Sequence, residues 1–511
     1  MANITSLVNG ADADIALSVP DGLSCNYRRL RELIDQAAGE LLKAGVEPGG
    51  RVALAFPNSP EALIFFLAAA AIGTACPLNP AYTETEFRFF LEDTGASFLL
   101  VPTNDGVAAR KALPPGARLL EAQITADGLH LNSSNAPTPS PTLPTRGRER
   151  SSASPSLPTK GMEATDVALV LHTSGTTSRP KRVPLRHRNL ITSVDNIVKH
   201  YQLTPRDVSL CIMPLFHVHG LVASTLATLA SGGRVVVPEK FTPLGFWPIA
   251  RQVKPTWFSA SPTPHQMILM RGSEERPPGT ERLRFVRSCS AALAPSLMSS
   301  METRFGVPVL EAYGMTEASH QMTSNPLPPG RRYPGSVGVG TGVQVAVLDE
   351  RGTSLVAGAT GQVGIRGANV IDGYENNPEA NASSFINGWF LTGDQGTLDS
   401  AGYLRLLGRI KELINRGGEK IAPREIDETL ELHPRVKEAV AFGVPHPTWG
   451  EEVSAAVVVE GEVSEKELQA HCRQTLADFK VPRRIHIVDS IPRTPTGKVQ
   501  RRFVAEQFIP K

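Results

Sequence analysis

The sequence predicts a mixed α/β protein. A large N-terminal domain of parallel-sheet α/β subdomains plus a β-rich lobe precedes a small α+β C-terminal domain. Three observations predict it. Strand-like and helix-like runs alternate over residues 1–131 and again from Val167 to about Pro308, the pattern of a parallel sheet covered on both faces. From about Gly335 to Leu407 the rhythm changes to short strands between Gly-rich turns. Residues 412–511 then read as a compact α+β unit, and 511 residues are too many for one domain.

Taken in order, Arg28 to Leu42 reads as a helix, Arg51 to Phe56 as a strand and Pro60 to Ile72 as a buried helix. Pro77 and Pro80 stop regular structure. Phe87, Phe90 and Leu91 stand at helical spacing, and Ser97 to Val101 is a buried-strand run. Residues 132–164 break the pattern. There Ser140 to Gly147 is nearly repeated as Ser154 to Gly161, and the stretch is rich in Ser, Thr and Pro. It cannot bury enough apolar surface to offset its ordering entropy, which predicts a disordered surface insertion. Val167 to Leu171 predicts a strand and Leu185 to Tyr201 a helix, with Leu190, Val194, Ile197 and Tyr201 on one face. Arg234 to Val237 and Leu283 to Val286 are strand-like; Val343 to Leu348 and Gly361 to Arg366 belong to the β-rich lobe. A domain boundary falls at 409–411. Beyond it Ala439 to Val444 and Val453 to Val459 predict strands. A helix should open at Ser464, with Glu467 completing a capping box and Leu468, Cys472 and Leu476 on its inner face.

Apolar residues make up 41% and charged residues 20%, as in soluble globular proteins. A net charge of +2 gives no electrostatic case for nucleic acid or an anionic membrane. Five scattered cysteines without a CxxC pair argue against a disulfide framework or zinc site and for a reducing, cytoplasmic setting. The N-terminus lacks a basic region followed by an apolar core, so no signal peptide is expected. The longest apolar run, Ala62 to Ile72, falls short of the roughly 20 residues a membrane span needs.

Between the predicted strand at Val167 and the predicted helix at Leu185 lies Thr173-Ser174-Gly175-Thr176-Thr177-Ser178-Arg179-Pro180-Lys181. Such a loop offers backbone N–H groups, hydroxyls and a terminal lysine, the parts that hold a polyphosphate. It is not a P-loop of the GxxxxGK[ST] kind, because Pro180 replaces the second Gly and Arg182 the Ser or Thr. Alone, it could equally be a hydroxyl-rich surface turn. Further motifs follow in order: Pro214-Leu215-Phe216-His217-Val218-His219-Gly220, Ser288-Cys289-Ser290-Ala291-Ala292, and Glu311-Ala312-Tyr313-Gly314-Met315-Thr316-Glu317. After these come Gly388-Trp389-Phe390-Leu391-Thr392-Gly393-Asp394, Gly408-Arg409-Ile410-Lys411 with Arg416-Gly417-Gly418-Glu419-Lys420, and Pro495-Thr496-Gly497-Lys498.

With these motifs in this order, the chain resembles the acyl-adenylate-forming ligases. That superfamily holds acyl-CoA synthetases, nonribosomal-peptide adenylation domains and beetle luciferases. The resemblance covers nearly the whole chain outside 132–164. It implies two half-reactions: a carboxylate attacks the α-phosphorus of ATP, and a thiol then displaces AMP from the acyl-adenylate. Thr173, Ser174, Gly175, Thr176, Thr177 and Lys181 would cradle the β- and γ-phosphates. Tyr313 would stack on adenine, Thr316 touch the α-phosphate and Glu317 hold Mg²⁺. Asp394, assisted by Arg409, would bind the ribose. Lys498 would bridge carboxylate and α-phosphate. Lys411 would mark the hinge of a mobile C-terminal domain, whose rotation brings Gly417, Gly418 and Glu419 to CoA. Two residues depart from most relatives. Ser178 and Arg182 stand where Gly is usual, although oxalate-using relatives share the Ser. A left-handed backbone at Arg182 would cost roughly 1 kcal/mol.

The segments expected around the acid are polar. A small acid with a second negative charge needs hydrogen-bond donors, since a buried unpaired carboxylate is costly. The runs around His217, Ser288 and His320 are similar to those of plant and fungal oxalate–CoA ligases. The resemblance implies that His217, Ser288, Ser290 and His320 contact the distal carboxylate, though each could instead bond to backbone and only shape the wall. It further implies ATP, CoA and a small carboxylic acid as partners, with monomer and homodimer both open. A ligase for another short, dicarboxylic or aromatic acid remains an alternative, as does an adenylation enzyme loading a separate carrier protein. The presence of Lys498, Glu317 and Asp394 speaks against a catalytically inert adenylate-binding protein.

Overall fold

The computed structural model describes residues 3–125, 128–133, 162–173, 180–271, 278–493 and 499–508. Among them the strands form four sheets. The first sheet has seven strands, ordered Gly128–Ser133, Arg118–Thr125, Phe98–Pro102, Arg51–Leu54, Thr74–Pro77, Val167–Thr173 and Lys181–Arg186. The second has nine, ordered Val339–Gly340, His320–Ser324, Val309–Met315, Phe285–Ser288, Trp257–Ala260, Val208–Leu210, Arg234–Val236, Ile15–Ser18 and Ser24–Asn26. Both have a parallel centre and antiparallel edges, as in the pairing of Phe285–Ser288 with Val309–Met315 against that of Val167–Thr173 with Lys181–Arg186.

The two sheets interleave in sequence. Ile15–Ser18 pairs in parallel with Arg234–Val236 in the second sheet, while Val167–Thr173 pairs with Thr74–Pro77 to extend the first. The helices packed between them come from early segments. Pro60–Ile72 is apolar on every side because it is covered on every side, with Leu63, Ile64, Phe65 and Leu67 fully buried. Ser59 caps its start, Pro60 takes the first turn and Gly73 ends it. A Cβ at Gly73 would lie 2.2 Å from the Gly50 carbonyl oxygen, so only glycine allows that close turn. Each such side chain contributes about 1.5–3 kcal/mol by leaving water, and Phe65→Ala would cost most. His187–Tyr201 lays Leu190, Val194, Ile197 and Tyr201 against the same core.

The β-rich lobe is a five-stranded sheet of Gln344–Leu348, Thr360–Arg366, Trp389–Leu398, Phe385–Ile386 and Leu404–Arg409. The C-terminal unit begins after the short turn Ile410–Glu412. Its own five-stranded sheet, centred on Val436–His446 and Gly450–Val459, packs on Pro423–Glu431 and Glu465–Cys472 around a separate core.

Three local expectations need correction. Leu185 lies in the strand Lys181–Arg186, because it pairs with Leu169 before the helix begins at His187. Ser464 caps its helix through the Glu467 N–H, but the Glu467 carboxylate turns to His433 at 3.5 Å instead of closing the box. Asn132 and Ser133, placed in the insertion by sequence, are strand residues paired with Glu121 and Leu120. At its other end Glu163 donates its N–H to Asp166 and the Ala164 carbonyl accepts from Arg188, while 134–161 lie outside the described residues. Among the described residues no helix is long and apolar enough to cross a membrane. All five cysteines are free and buried.

Candidate active site

The carboxyl ends of the second sheet's central strands open into a cleft of about 2220 Å³, which the lobe and the C-terminal unit complete. That is where parallel sheets place ligands, since each strand there hands over to a loop free to carry chemistry. His217, Ser290, Tyr313, Thr316, Glu317, His320, Asp394, Arg409, Lys411, Thr173 and Lys181 all line it. These segments lie far apart in sequence, and the topology brings them together.

At one end, the strand Val309–Met315 delivers Tyr313 and runs into the single turn Thr316–Ala318. Glu317 is buried there, and its Oε1 accepts a 2.8 Å hydrogen bond from the Tyr374 hydroxyl. Lys181, at the start of its strand, holds Nζ 4.3 Å above the Tyr374 ring. Burial lowers the Lys181 pKa and the Lys411 charge adds to that, while Glu317 opposes both. A lysine of the first sheet and a lysine of the turn Ile410–Glu412 therefore act on the same spot. Among the described residues no three His, Cys, Asp or Glu side chains converge as a metal site. The single buried carboxylate of Glu317 still suits Mg²⁺, which keeps water and phosphate oxygens for most of its six positions.

Asp394 and Arg409 are cross-strand partners, so the fold itself sets them face to face; Asp394 Oδ1 meets Arg409 Nε at 2.9 Å. The Tyr313 hydroxyl donates to Asp394 Oδ2. Burial, with the Asp394 charge behind it, drives the Tyr313 pKa well above its ordinary value and keeps that donor protonated. The result is an aromatic face beside a buried carboxylate, an arrangement able to hold a base and a sugar diol. Arg182 is in extended strand, paired with His172. It donates to the Asp93 carbonyl and sits 3.4 Å from Glu375 Oε2, whose neighbour Tyr374 holds Glu317. Nothing left-handed is required there, and Arg182 fastens the exit of the loop to two neighbouring segments.

The other end is built from hydrogen bonds among buried neutral groups. His219 begins a π-helix, His219–Leu226, and is fully buried; such wide turns often mark functional sites. Its Nδ1 lies 2.9 Å from Ser290 Oγ and its Nε2 2.6 Å from Ser259 Oγ. Burial holds its pKa well below the ordinary value, with the neighbouring His320 and Arg287 adding to it, so the ring is neutral. The His219 and His320 rings stack with centroids 5.0 Å apart. Ser290, Ser319 and His320 have φ of 76°, 53° and 106°, the left-handed region that non-glycine residues avoid. Strain gathered at three residues around one pocket marks a functional constraint.

Two family models match the chain: "AMP-binding enzyme" over 8–375 and "AMP-binding enzyme C-terminal domain" over 425–498. The chain belongs to the AMP-binding enzyme family. It is 47% identical to the oxalate–CoA ligase of Arabidopsis thaliana over 97% of this chain and 96% of that protein. The oxalate–CoA ligase of Saccharomyces cerevisiae is 44% identical over 89% and 86%. Among solved structures of the family, ATP-bound MatB from Rhodopseudomonas palustris matches with TM-score 0.87 at 31% identity, covering 99% of each chain. The apo form of that same enzyme gives 0.76.

Not every residue singled out by sequence meets the cleft. Ser174, Gly175, Thr176, Thr177 and Lys498 lie outside the described residues, as does Ser178. Ser288 is fully buried in its strand with no partner for its hydroxyl, and it does not line the cleft as Ser290 does. Gly417 and Gly418 form the left-handed tip of a hairpin beside Trp449, away from the cleft, and Glu419 is exposed on it. By contrast Arg493, Val499 and Arg501, which flank Lys498 in sequence, do line the cleft. Sequence reasoning missed Arg287, His219 as a working residue, and Tyr374. The available signal for the first was a lone arginine inside an apolar strand-like run.

Proposed function

We propose that this protein is an AMP-forming acid–CoA ligase acting on oxalate. The observation that carries this reading is the acid end of the cleft, where Ser290 and His320 sit in strained backbone, Ser290 bonded to His219 and His320 to a buried arginine. A pocket for a fatty or aromatic tail would be apolar, and this one is lined by donors. The oxalate–CoA ligases at 47% and 44% identity support the same substrate.

In the first half-reaction an oxalate carboxylate oxygen attacks the α-phosphorus of ATP. A new O–P bond forms, the α–β bridge breaks and pyrophosphate leaves. Lys181, with Thr173 and the hydroxyls of Ser174, Thr176 and Thr177, holds the β- and γ-phosphates. Gly175 lets the backbone approach them. Tyr313 packs on adenine, while Asp394 and Arg409 bind the ribose. Thr316 touches the α-phosphate, and Lys498 bridges it to the attacking carboxylate. Glu317 would hold Mg²⁺, which would supply neutralising charge to the triphosphate. Both reactants are anions, so placing cations where charge develops is the main source of catalysis. In the second half-reaction the CoA sulfur attacks the acyl carbonyl. The C–S bond forms, the C–O bond to AMP breaks and the thiol proton passes to solvent. The domain turns about Lys411 between the steps, and Gly417, Gly418 and Glu419 then reach CoA.

The better match to ATP-bound than to apo MatB supports an orientation suited to the first step. Five free, buried cysteines support a reducing compartment such as the cytoplasm. Incubation with ATP, Mg²⁺, CoA and oxalate tests the proposal. Equal amounts of AMP, pyrophosphate and oxalyl-CoA are expected by chromatography with mass detection; ADP and phosphate in their place would reject the reaction type.

A further inference from the structure

Arg287, on the strand Phe285–Ser288, has no solvent exposure. Its Nε donates to the Tyr201 hydroxyl at 2.9 Å and to Gln321 Oε1 at 3.2 Å. Nη2 reaches Gln321 Oε1 at 3.0 Å and His320 Nε2 at 2.9 Å. Nη1 reaches Ser259 Oγ at 2.9 Å and His219 Nε2 at 3.2 Å. The Cys289 thiol completes the set. None of these partners is a carboxylate, and among the described residues no carboxylate pairs with the guanidinium. A buried charge without a counter-ion costs several kcal/mol, so a fold that keeps one has left room for an anion to offset it.

The geometry also decides where the histidine protons are. A guanidinium can only donate. The Nε2 atoms of His219 and His320 must therefore accept, and each ring carries its proton on Nδ1. For His219 that proton is aimed at Ser290 Oγ, 2.9 Å away. Having accepted it, the Ser290 hydroxyl keeps its own proton for an acceptor in the cleft it lines. The Nδ1 edge of His320 lies against Gly314, where even a Cβ would come within 3.3 Å, in the cleft wall beside Tyr313 and Met315.

We propose that Arg287 is a positioning residue for the acid: it fixes His219 and His320 as Nδ1–H tautomers, so the pocket presents hydrogen-bond donors and one unmatched positive charge to a second carboxylate. The ligand class is a short dianionic acid, in preference to a monoanion of the same shape. The inference rests on the acid–CoA ligase reading and adds the residue that makes the pocket discriminate by charge.

The test compares oxalate with oxamate, in which an uncharged amide replaces one carboxylate, together with other short dicarboxylic acids and their half-amides. Wild type, Arg287→Gln and Arg287→Lys are assayed for acid-dependent pyrophosphate release. In Arg287→Gln the oxalate-to-oxamate ratio of kcat/KM should fall about 100-fold, carried by the KM for oxalate, with the KM for ATP unchanged. Arg287→Lys keeps the charge and should recover part of the ratio. Ser259→Ala removes the hydroxyl shared by Arg287 and His219 without emptying the core. It should lower the ratio in the same direction by less, and it supplies the answer if Arg287→Gln does not fold. A uniform loss across acids and ATP, or an unchanged ratio, would overturn the proposal. If the wild type ignores oxalate but uses another dicarboxylate, the substrate reading alone fails, and the ratio is read on that acid and its half-amide. If no dicarboxylate is used, both fall.

Discussion

The acid end of the cleft and its interdomain face hold their charges differently. At the acid end the one charge, on Arg287, is surrounded by neutral donors and acceptors with no exposure. At the interdomain face, charges meet opposite charges. Arg501 pairs with Asp427 and, in the connecting turn, with Glu412 at 3.2 Å, and Arg424 with Glu428 at 2.7 Å; across the boundary Arg405 of the lobe reaches Glu428 of the C-terminal unit at 3.5 Å. Hydrogen bonds among buried neutral groups are directional and costly to leave unmade, so they fix one geometry. The pair that crosses the boundary, Arg405 with Glu428, has its arginine largely in solvent, and such pairs are weak and can be exchanged. The comparison teaches that the molecule fixes the acid end of its cleft with directional bonds and joins its lobe to the C-terminal unit by a contact that can be remade.

The largest expected effect lies on the interdomain side. Lys498→Ala should slow oxalate-dependent pyrophosphate release on the order of 1000-fold. Thiolation of a preformed oxalyl-adenylate should stay within roughly three-fold, because the proposed domain turn would withdraw Lys498 before that step. Equal loss in both half-reactions would show that the lysine does not separate them. On the rigid side, His219→Ala should lower kcat/KM for the acid about 100-fold, with the KM for ATP steady, since it strips Ser290 of its donor. An effect shared equally by ATP and acid would mean that the two ends are not independent.

A third break concerns Glu311, which lines the cleft between these regions. Its Oε1 accepts from the Leu293 N–H, its Oε2 has no partner, and burial pushes its pKa up to about 7. A raised carboxyl favours folding only while it stays protonated. Its contribution is full below about pH 4.5 and is lost as pH rises through about 7. The loss is on the order of 3 kcal/mol. Glu311→Gln should therefore raise the melting temperature at pH 8 relative to wild type, with the gap closing at pH 5; calorimetry at the two pH values reads it. A gap independent of pH would mean that the carboxyl is ionised in the fold at both. The smallest effect is expected at the exposed interdomain pair. Arg405→Ala should change stability by less than about 1 kcal/mol and either half-reaction by less than roughly three-fold.

Most of the fold could be read from sequence because its signals are local. The apolar run of Pro60–Ile72 and the spacing of Leu190, Val194, Ile197 and Tyr201 specify buried helices without reference to anything distant. The motif residues Tyr313, Glu317, Asp394, Arg409 and Lys181 could also be read, since each sits in a short segment of recognisable chemistry, and the topology gathers them into one cleft. What could not be read depends on long-range pairing. Arg287 takes its meaning from Tyr201, His219, Ser259 and the adjacent pair His320 and Gln321, which stand on four separate segments. Arg182 is intelligible only beside Asp93 and Glu375. The interleaving of the two sheets, with Ile15–Ser18 beside Arg234–Val236, leaves no local trace either.

The central claim is that a rigid, donor-lined end selects a small dianion. Initial rates of AMP formation across oxalate, octanoate and benzoate, at fixed ATP, Mg²⁺ and CoA, test it most directly. The account predicts kcat/KM for oxalate at least about 100-fold above the other two, the discrimination expected of a site built to hydrogen-bond its ligand. A clear preference for octanoate or benzoate would contradict it.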